Sequence, residues 1–245
     1  MTHWVEGVDI SVYQGAIWQS SWDALYAQGQ RLAVIGSAHP RPNTFALENL
    51  RRAKQAGFIL ATYAVVYPSV PSAQTVDVAK RMCGEFWPQL SFVGIDCETE
   101  GITEAQIFGM ETAIRAAELR PLMYTGGWFW KPKMADSQAF NHLPLWTANY
   151  RSPPESDSVP LYGGWTKNSL VGHQWAGSVQ LAGVTVDRNN FRRDFVQGGQ
   201  PMPQPPSDAD RLHALVLLAE IQKAIAQRRT LTPEQKATLR YFGQP

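Results

Sequence analysis

Short apolar segments alternate with helical patterns through the first half of the chain, and this order constrains the fold more than any other feature. Five segments are rich in β-branched or aromatic residues, as buried strands are, and they occupy residues 7–10, 32–35, 59–66, 92–95 and 122–124. Helical patterns cover residues 21–28 and 44–56, a third follows Ser72, and a fourth begins at the capping box Thr103-Glu104-Ala105-Gln106. Such an alternation predicts a parallel sheet with helices on its outside.

The second half keeps the strands but loses the long helices. Three more apolar segments lie at residues 144–148, 171–175 and 184–187, separated by loops rich in Gly, Pro and Ser. Eight strands with helices missing from the last part predict an α/β fold, a TIM-type barrel in a reduced form. An open doubly wound sheet is the alternative, but no Gly-rich phosphate-binding loop follows the first strand.

The composition changes near residue 198 and divides the chain. Residues 1–197 form the predicted barrel, residues 198–208 form a linker rich in Pro and Gly, and residues 209–245 are predicted to be a small helical tail. Apolar residues of the tail recur at three- and four-residue spacing along one helix face: Leu212, Leu215, Leu218, Ile221 and Ile225. A second short helix is predicted to begin at Thr232-Pro233-Glu234-Gln235. Two helices of this size cannot bury such a stripe between them, so we expect the tail to dock on the barrel, on a second copy of the chain or on another protein.

Charge and composition exclude several classes of partner. Lys and Arg number 22 against 21 Asp and Glu, a net charge of +1, which provides no attraction to nucleic acid or to an anionic membrane. The longest apolar run of the tail is far shorter than the ~20 residues that cross a bilayer, so no membrane insertion is expected. The N-terminus lacks the basic and apolar segments of a secretory signal, so we expect a protein made in the cytoplasm that acts outside it only after release. Cys83 and Cys97 are expected to be buried free thiols rather than a disulfide.

Carboxylates follow three of the apolar strands: Asp9, Asp96, Glu98 and Asp187. Functional side chains of a parallel barrel lie at the C-terminal ends of its strands, so these groups are expected at one mouth. Side chains alternate along a strand, so Asp96 and Glu98 share one face, about 6–7 Å apart, while Cys97 points to the other. Two carboxylates this close raise the pKa of at least one of them, and paired carboxylates are the usual apparatus of glycoside hydrolysis. We therefore predict these four as catalytic residues, with no metal and no cofactor.

Aromatic residues cluster at the same strand ends. They are Tyr63, Tyr67, Tyr124, Trp128, Trp146, Tyr150 and Trp175. Sugar rings present apolar C–H faces to such side chains, but aromatics also contribute much to a core, so about half are expected to be core residues. Their recurrence beside the acids favours an oligosaccharide groove. The predicted substrate-binding residues are Tyr63, Tyr124, Trp146 and Trp175.

Six segments together resemble the glycoside hydrolase family 25 lysozymes, which are N-acetylmuramidases. The segments are Gly7-Val8-Asp9-Ile10-Ser11-Val12-Tyr13-Gln14-Gly15, Gly94-Ile95-Asp96-Cys97-Glu98, Tyr124-Thr125-Gly126, Leu145-Trp146-Thr147-Ala148-Asn149-Tyr150, His173-Gln174-Trp175 and Gly183-Val184-Thr185-Val186-Asp187-Arg188-Asn189-Asn190-Phe191. The resemblance implies a modified barrel of five β/α units followed by three strands, (β/α)5(β)3. It also implies hydrolysis of the β-1,4 bond between N-acetylmuramic acid and N-acetylglucosamine in bacterial cell-wall peptidoglycan.

The resemblance further assigns roles to the carboxylates. It makes Glu98 the general acid that protonates the leaving glycosidic oxygen. It makes Asp96 the carboxylate that assists at the anomeric centre, either by orienting the substrate's own acetamido group or by activating water. Asp9 and Asp187 complete an acidic floor. The strand spacing does not decide between retention and inversion, because substrate-assisted enzymes do not follow the rule on carboxylate separation.

One wall of the expected groove departs from the family. The family's second strand usually ends in a Lys-Ala-Thr-Glu-Gly type of motif, whereas this chain has Ile35-Gly36-Ser37-Ala38-His39-Pro40. The resemblance still places Tyr63 and Trp146 along the groove, but it leaves the substrate contacts of this wall open. We expect His39 to be an exposed loop residue rather than a substrate contact.

Two other functions stay open at this point. A non-catalytic module that binds cell-wall glycan would keep the barrel without turnover. A metal-dependent phosphodiesterase would use the four carboxylates as ligands for a hard cation. An assay for turnover separates the first alternative from an enzyme, and a chelator separates the second. Among hydrolases, the expected release after synthesis suits a phage endolysin, a lytic domain of a phage particle or a bacterial protein exported by another route.

Overall fold

In the part of the chain that the structure describes, eight strands close into one barrel in chain order. This part of the computed structural model comprises residues 4–39, 41–151, 154 and 156–197, and the predicted linker and helical tail lie outside it. The strands are β1 (Trp4–Ile10), β2 (Leu32–Ala38), β3 (Ile59–Val65), β4 (Val93–Asp96), β5 (Pro121–Gly126), β6 (Leu145–Ala148), β7 (Leu170–Leu181) and β8 (Val184–Arg192). The closed barrel confirms the predicted fold class and excludes the open sheet.

Helices follow each of the first five strands, which gives the (β/α)5(β)3 order. Within the described residues the helices are α1 (Gln19–Ala27), α2 (Ala46–Ala56), α3 (Ser72–Cys83), α4 (Glu104–Ala116), α5 (Gly127–Lys133) and α6 (Arg193–Gln197). The predicted capping box begins α4, where the Thr103 hydroxyl accepts a hydrogen bond from the Gln106 backbone N–H. The pattern did not predict α5, because seven residues that include Pro132 are too few to show a helical period. No helix of the described residues is long and apolar enough to cross a membrane.

Strand β8 differs from the others in direction. Strands β1 to β7 run parallel to one another, whereas β8 runs antiparallel to both β7 and β1. A two-residue turn at Ala182 and Gly183, with φ of 52° and 78°, joins β7 to β8. The prediction that Asp187 follows a strand at its C-terminal end is therefore wrong, because Asp187 is the fourth of nine residues of β8. It reaches the same mouth as Asp9 because the antiparallel register pairs these two residues.

Alternating side chains of the strands build two apolar layers. One layer lies between the strands and the helices and contains Cys83 and Cys97, which are buried free thiols as predicted. The other layer fills the barrel interior, where Phe92, Trp146 and Phe191 are its largest fully buried side chains. Because the interior is filled by side chains, a ligand has access only at an end of the barrel.

The N-terminal end of the barrel is closed by α6. Phe195 and Val196 of this helix belong to the interior layer, and the ring of Phe195 lies 5.8 Å from that of Phe92. The Arg120 guanidinium donates to the Phe195 carbonyl at 2.6 Å, and the Ser91 hydroxyl donates to the Val196 carbonyl at 3.2 Å. Residues 193–197 are therefore part of the barrel, and the C-terminal mouth is the open end.

Candidate active site

Asp9, Asp96, Glu98 and Asp187 lie together at this open mouth, and we call them the acid cluster. Asp9 is the sixth of seven residues of β1 and lies opposite Asp187 of β8. Asp96 is the last residue of β4, opposite Tyr124 of β5, and Glu98 follows two residues later. The charges of Asp187 and Glu98 act on Asp9, and those of Glu98 and Asp9 act on Asp96. The structure thus brings together all four carboxylates that the sequence singles out.

The segment after Asp96 is held in place beyond the end of its strand. Cys97 is fully buried in the layer between strands and helices, on the face opposite to Asp96, as the alternation predicts. The Cys97 N–H donates to the Tyr124 carbonyl at 2.9 Å, and the Thr125 hydroxyl donates to the Cys97 carbonyl at 2.8 Å. Glu98 leaves this anchored segment only partly buried. Its carboxyl group is therefore the member of the Asp96–Glu98 pair that a bound substrate meets first.

A buried glutamine connects the acid cluster to neighbouring strands. The Gln174 Nε2 atom on β7 donates to Asp9 Oδ2 at 3.0 Å and to Asp187 Oδ2 at 3.5 Å. The Gln174 Oε1 atom accepts hydrogen bonds from the hydroxyls of Tyr124, at 2.9 Å, and Tyr150, at 3.2 Å. One amide therefore orients two carboxylates and two tyrosines.

Asn189 supports the same carboxylate from β8. Its Nδ2 atom donates to Asp9 Oδ2 at 2.7 Å, and its Oδ1 atom accepts from Trp146 Nε1 at 2.9 Å. The sequence-based site prediction contains neither Gln174 nor Asn189. They are 2% and 1% exposed, and a buried amide within an apolar strand must satisfy its hydrogen bonds, which is the signal that identifies both.

Burial keeps protons on Asp9 and Glu98 near neutral pH. Burial raises the pKa of Asp9 to about 7, the negative charge of Asp187 adds to the rise, and the two amide donors oppose it. Burial also raises the pKa of Glu98 to about 7, with the Tyr124 hydroxyl opposing and the Asp187 charge adding. A carboxylic acid with such a pKa retains a proton that it can donate near neutral pH.

The other two carboxylates feel the same surroundings. Burial raises the pKa of Asp96 well above its usual range, and the charges of Glu98 and Asp9 raise it further. Burial raises the pKa of Asp187 as well, while the Ser178 backbone N–H, 2.6 Å from its Oδ1 atom, favours its ionised form. The acid cluster therefore holds protons that separate carboxylates in water would release.

Two predicted substrate-binding tyrosines, Tyr63 and Tyr124, lie beside the acid cluster with their rings largely buried. The Tyr63 ring packs over Gly36 of β2, where a Cβ atom would come within 2.4 Å of the ring. His39 Nε2 lies 3.4 Å from the Tyr63 hydroxyl, and the imidazole meets the ring of Tyr13 edge-on. His39 lies in a bend after β2, as predicted, but the predicted exposure is wrong, because its side chain is half-buried on the wall of the mouth.

Trp146 lies below the mouth rather than in it. Its side chain is 1% exposed, and its ring lies 4.3 Å from that of Tyr124 and 5.2 Å from that of Phe191. The structure thus corrects the prediction that Trp146 lines the groove. Strand alternation places this side chain inside the barrel, but at a depth that a substrate does not reach in this structure.

Trp175 faces the outside of the barrel wall. The structure thus corrects the prediction that Trp175 lies in the substrate groove. Trp175 directly follows Gln174, whose side chain points at Asp9, so strand alternation places Trp175 on the face opposite to the acid cluster. The Arg188 guanidinium lies 4.4 Å from the centre of the Trp175 ring and donates to Glu6 Oε2 at 2.6 Å. Trp175 therefore belongs to the contact between β7, β8 and β1.

Trp128 and Tyr150 are accessible aromatic residues at this mouth, as is Tyr13, which follows β1 and is 88% exposed. Trp128 is 62% exposed and follows β5, and Tyr150 is 64% exposed and follows β6. Both line a pocket of about 360 Å³ beside the acid cluster. The sequence singled out both residues as aromatics at strand ends but left them outside the predicted site.

The sequence matches the family model described as Glycosyl hydrolases family 25 over residues 8–184. The chain belongs to this family. Asp9, Asp96 and Glu98 lie within the matched residues, and Asp187 lies just beyond them. As a member of family 25 the protein is a glycoside hydrolase, so the non-catalytic glycan-binding module is set aside.

Solved structures similar to this family 25 chain include two that it matches over nearly their whole length. The muramidase from Acremonium alcalophilum is 21% identical, with a TM-score of 0.62 over 79% of this chain and 99% of that chain. The bacterial lysozyme from Streptomyces coelicolor is 18% identical, with a TM-score of 0.60 over 80% and 98%. The modular Cpl-1 endolysin, solved with a peptidoglycan analogue, is 16% identical, with a TM-score of 0.55 over 78% and 55%. These similarities show the shared fold, and no curated protein sequence matches the chain.

The carboxylates of this family 25 hydrolase are not spaced as metal ligands. Among the residues that the structure describes, no group of three or more His, Cys, Asp and Glu side chains is placed to hold a metal ion. Asp9 instead accepts hydrogen bonds from the amides of Gln174 and Asn189. The described residues therefore offer no set of metal ligands for the alternative function, a metal-dependent phosphodiesterase.

Proposed function

We propose that this family 25 hydrolase cleaves the β-1,4 bond between N-acetylmuramic acid and N-acetylglucosamine in bacterial peptidoglycan. The observation that carries the proposal is Glu98, a partly exposed acid with a pKa of about 7 beside the buried Asp96 at the open end of the barrel. The family assignment supports peptidoglycan hydrolysis. The muramidase, the lysozyme and the endolysin with a peptidoglycan analogue, which share the fold, support it further.

In this proposal, Glu98 is the general acid for cleavage of the glycosidic bond. Its proton passes to the glycosidic oxygen as the bond from that oxygen to the anomeric carbon breaks, which leaves Glu98 as a carboxylate. The anchoring of Cys97 to β5 fixes the backbone one residue before Glu98, so the acid approaches the bond from a constant direction. Burial supplies the raised pKa that keeps the proton available.

Asp96 assists at the anomeric centre in its ionised form. It either orients the acetamido group of the substrate as nucleophile or activates a water molecule. Asp9 and Asp187 form the acidic floor, which favours the positive charge that develops on the sugar in the transition state. The anomer of the first product distinguishes the two routes for Asp96, since the acetamido route retains the configuration and direct attack by water inverts it.

The experiment that tests the proposal identifies the new chain ends. The full chain is incubated with purified peptidoglycan, the products are reduced with borohydride, and the reduced sugars are identified by mass spectrometry. We expect clearing of the suspension and reduced N-acetylmuramic acid at the new ends. Reduced N-acetylglucosamine ends, or clearing without new reducing ends, would contradict the bond assignment.

We also propose that the protein acts in cell-wall lysis after release from the cytoplasm through a membrane pore, as a phage endolysin does. The fold that it shares with the Cpl-1 endolysin supports this role. We expect lysis of cells that co-express the hydrolase and a membrane pore, and no lysis of cells that express the hydrolase alone.

Self-association, or contact with another protein, through residues 209–245 stays a prediction, because these residues lie outside those that the structure describes.

A further inference from the structure

The pocket beside the acid cluster is not used by the hydrolytic step itself. It has a volume of about 360 Å³ and lies where β5 and β6 end, within the size range of small-ligand sites. Its lining includes Trp128, Lys131, Asn149, Tyr150, Pro160 and Tyr162. Tyr150 joins the pocket to the acid cluster, because its hydroxyl donates to the same Gln174 that holds Asp9.

The walls of the pocket are fixed by the barrel. A Cβ atom at Gly126 would come within 2.2 Å of the Trp128 indole, so the glycine lets this ring fold back over the end of β5. The Tyr162 hydroxyl donates to the Thr125 carbonyl at 2.9 Å and accepts from the Thr147 hydroxyl at 2.8 Å. A site whose side chains are held by strand ends binds its ligand at a low cost in side-chain ordering.

Lys131 gives the pocket its charge. It is the one charged side chain among the described residues that line it. It takes part in no salt bridge with them, whereas Lys133, two residues along α5, pairs with Glu100 at 2.6 Å. An anionic group that approached the mouth would be repelled by the acid cluster wherever its carboxylates are ionised. The Lys131 ammonium supplies the opposite charge on one side of the mouth.

We propose that this pocket, with Lys131 at its edge, binds a carboxylate of the stem peptide attached to N-acetylmuramic acid. The inference rests on the proposed function, which places a peptidoglycan strand across the mouth. The Lys131 ammonium, which forms no salt bridge with a described residue, pairs with the carboxylate, while Trp128 and Tyr150 offer apolar faces to the rest of the peptide and to the sugar. The substrate class of the hydrolase is therefore a peptide-bearing strand rather than a bare glycan.

The test compares two forms of one substrate. Soluble uncrosslinked strands, freed of bound phosphate polymers, are used intact, or after an amidase has removed the stem peptides and the lactyl carboxylate left on each sugar has been converted to its methylamide. For each form KM is measured with the wild type, Lys131→Met, Lys131→Arg and Lys133→Met. We expect the wild type, Lys131→Arg and Lys133→Met to prefer peptide-bearing strands, and Lys131→Met to lose a preference on the order of fivefold. High ionic strength should reduce the difference between wild type and Lys131→Met, because this charge pair is exposed.

Three outcomes would overturn the inference while the proposed function stands. One is a wild type that cleaves both strand forms with equal KM. The second is a Lys131→Met variant that keeps the wild-type preference, and the third is a Lys133→Met variant that loses as much of it as Lys131→Met is expected to lose. A wild type that releases no reducing ends from either form contradicts the proposed function, and the inference falls with it.

Discussion

Asp9 and Asp187 lie opposite each other on antiparallel strands, and one amide, Gln174, donates to both carboxylates. The Gln174 and Asn189 donors both bond the Oδ2 atom of Asp9. The charge of Asp187 raises the pKa of Asp9 on top of the effect of burial. Holding these two acids together therefore lowers the free energy of unfolding, and lowers it further as they ionise.

The first prediction concerns stability against pH. The pKa of Asp9 is about 7 in the folded state and lower in the unfolded chain, so the folded state binds more protons between about pH 4 and pH 7. The free energy of unfolding should therefore decrease as the pH rises through this window. Asp9→Asn keeps an oxygen for both amide donors and removes the charge. We expect it to raise the Tm by about 5 °C at about pH 8 and by much less at about pH 5.

Calorimetry of the wild type and Asp9→Asn at both pH values checks this prediction. Asp77→Asn, at an exposed position of α3, is the matched control and should move the Tm little at either pH. An equal Tm shift of Asp9→Asn at both pH values would show that the ionisation of Asp9 does not oppose folding.

The second prediction concerns the rate against pH. Because the pKa of Glu98 is about 7, kcat/KM should fall tenfold for each pH unit above that value as the acid loses its proton. The residual activity of Glu98→Gln should lack this decline, because its amide has no proton to lose. A wild-type profile that stays flat between about pH 7 and pH 9 would rule out Glu98 as the acid.

The third prediction separates the two aromatic residues that the structure places at different depths. Trp146→Ala should cost about 3–5 kcal/mol of unfolding free energy, since it empties the centre of the barrel. Tyr150→Ala should leave stability nearly unchanged and raise KM for glycan strands, and Tyr150→Phe should keep most of the binding. Denaturant unfolding and steady-state kinetics measure both effects. A destabilised Tyr150→Ala with an unchanged KM would reverse the assignment.

Strand alternation explains which features of the site were predictable from the sequence. It gave the opposite faces of Asp96 and Cys97 correctly, because a period of two is a local property of the chain. It placed Trp146 inside the barrel but not at its depth, because depth depends on how all eight strands are staggered. The prediction for Trp175 rested on its position at a strand end, whereas alternation from the inward-facing Gln174 places it on the outer face, as observed.

Long-range pairing explains the remaining differences. The direction of β8 is not encoded in its own residues, so the location of Asp187 within the strand was predicted wrongly. The end of the barrel at which Asp187 lies was nevertheless predicted correctly. The hydrogen bond from Gln174 to Asp9 joins β7 to β1 and exists only once the barrel has closed. Local patterns predicted a reduced barrel of eight strands, and the family resemblance supplied its (β/α)5(β)3 arrangement.

The fourth prediction concerns the boundary of the barrel. A chain that ends at Gly199 keeps Phe195, Val196 and all four carboxylates, so it should fold and cleave soluble strands. A chain that ends at Arg192 lacks the closure by α6 and exposes the interior, so it should unfold or melt at a clearly lower temperature. Circular dichroism melting and the reducing-end assay compare the two. An inactive, unfolded 1–199 chain would show that the predicted boundary is misplaced.

The most direct test of the proposed mechanism is the turnover of Glu98→Gln on purified peptidoglycan. The amide keeps the shape of the side chain but has no acidic proton, so kcat should fall by a factor of about 10²–10⁴. Glu100→Gln, at an exposed position two residues away, is the control and should keep the wild-type rate. Both variants should melt as cooperatively as the wild type. A folded Glu98→Gln protein that clears cell walls at close to the wild-type rate would contradict the assignment of Glu98 as the general acid.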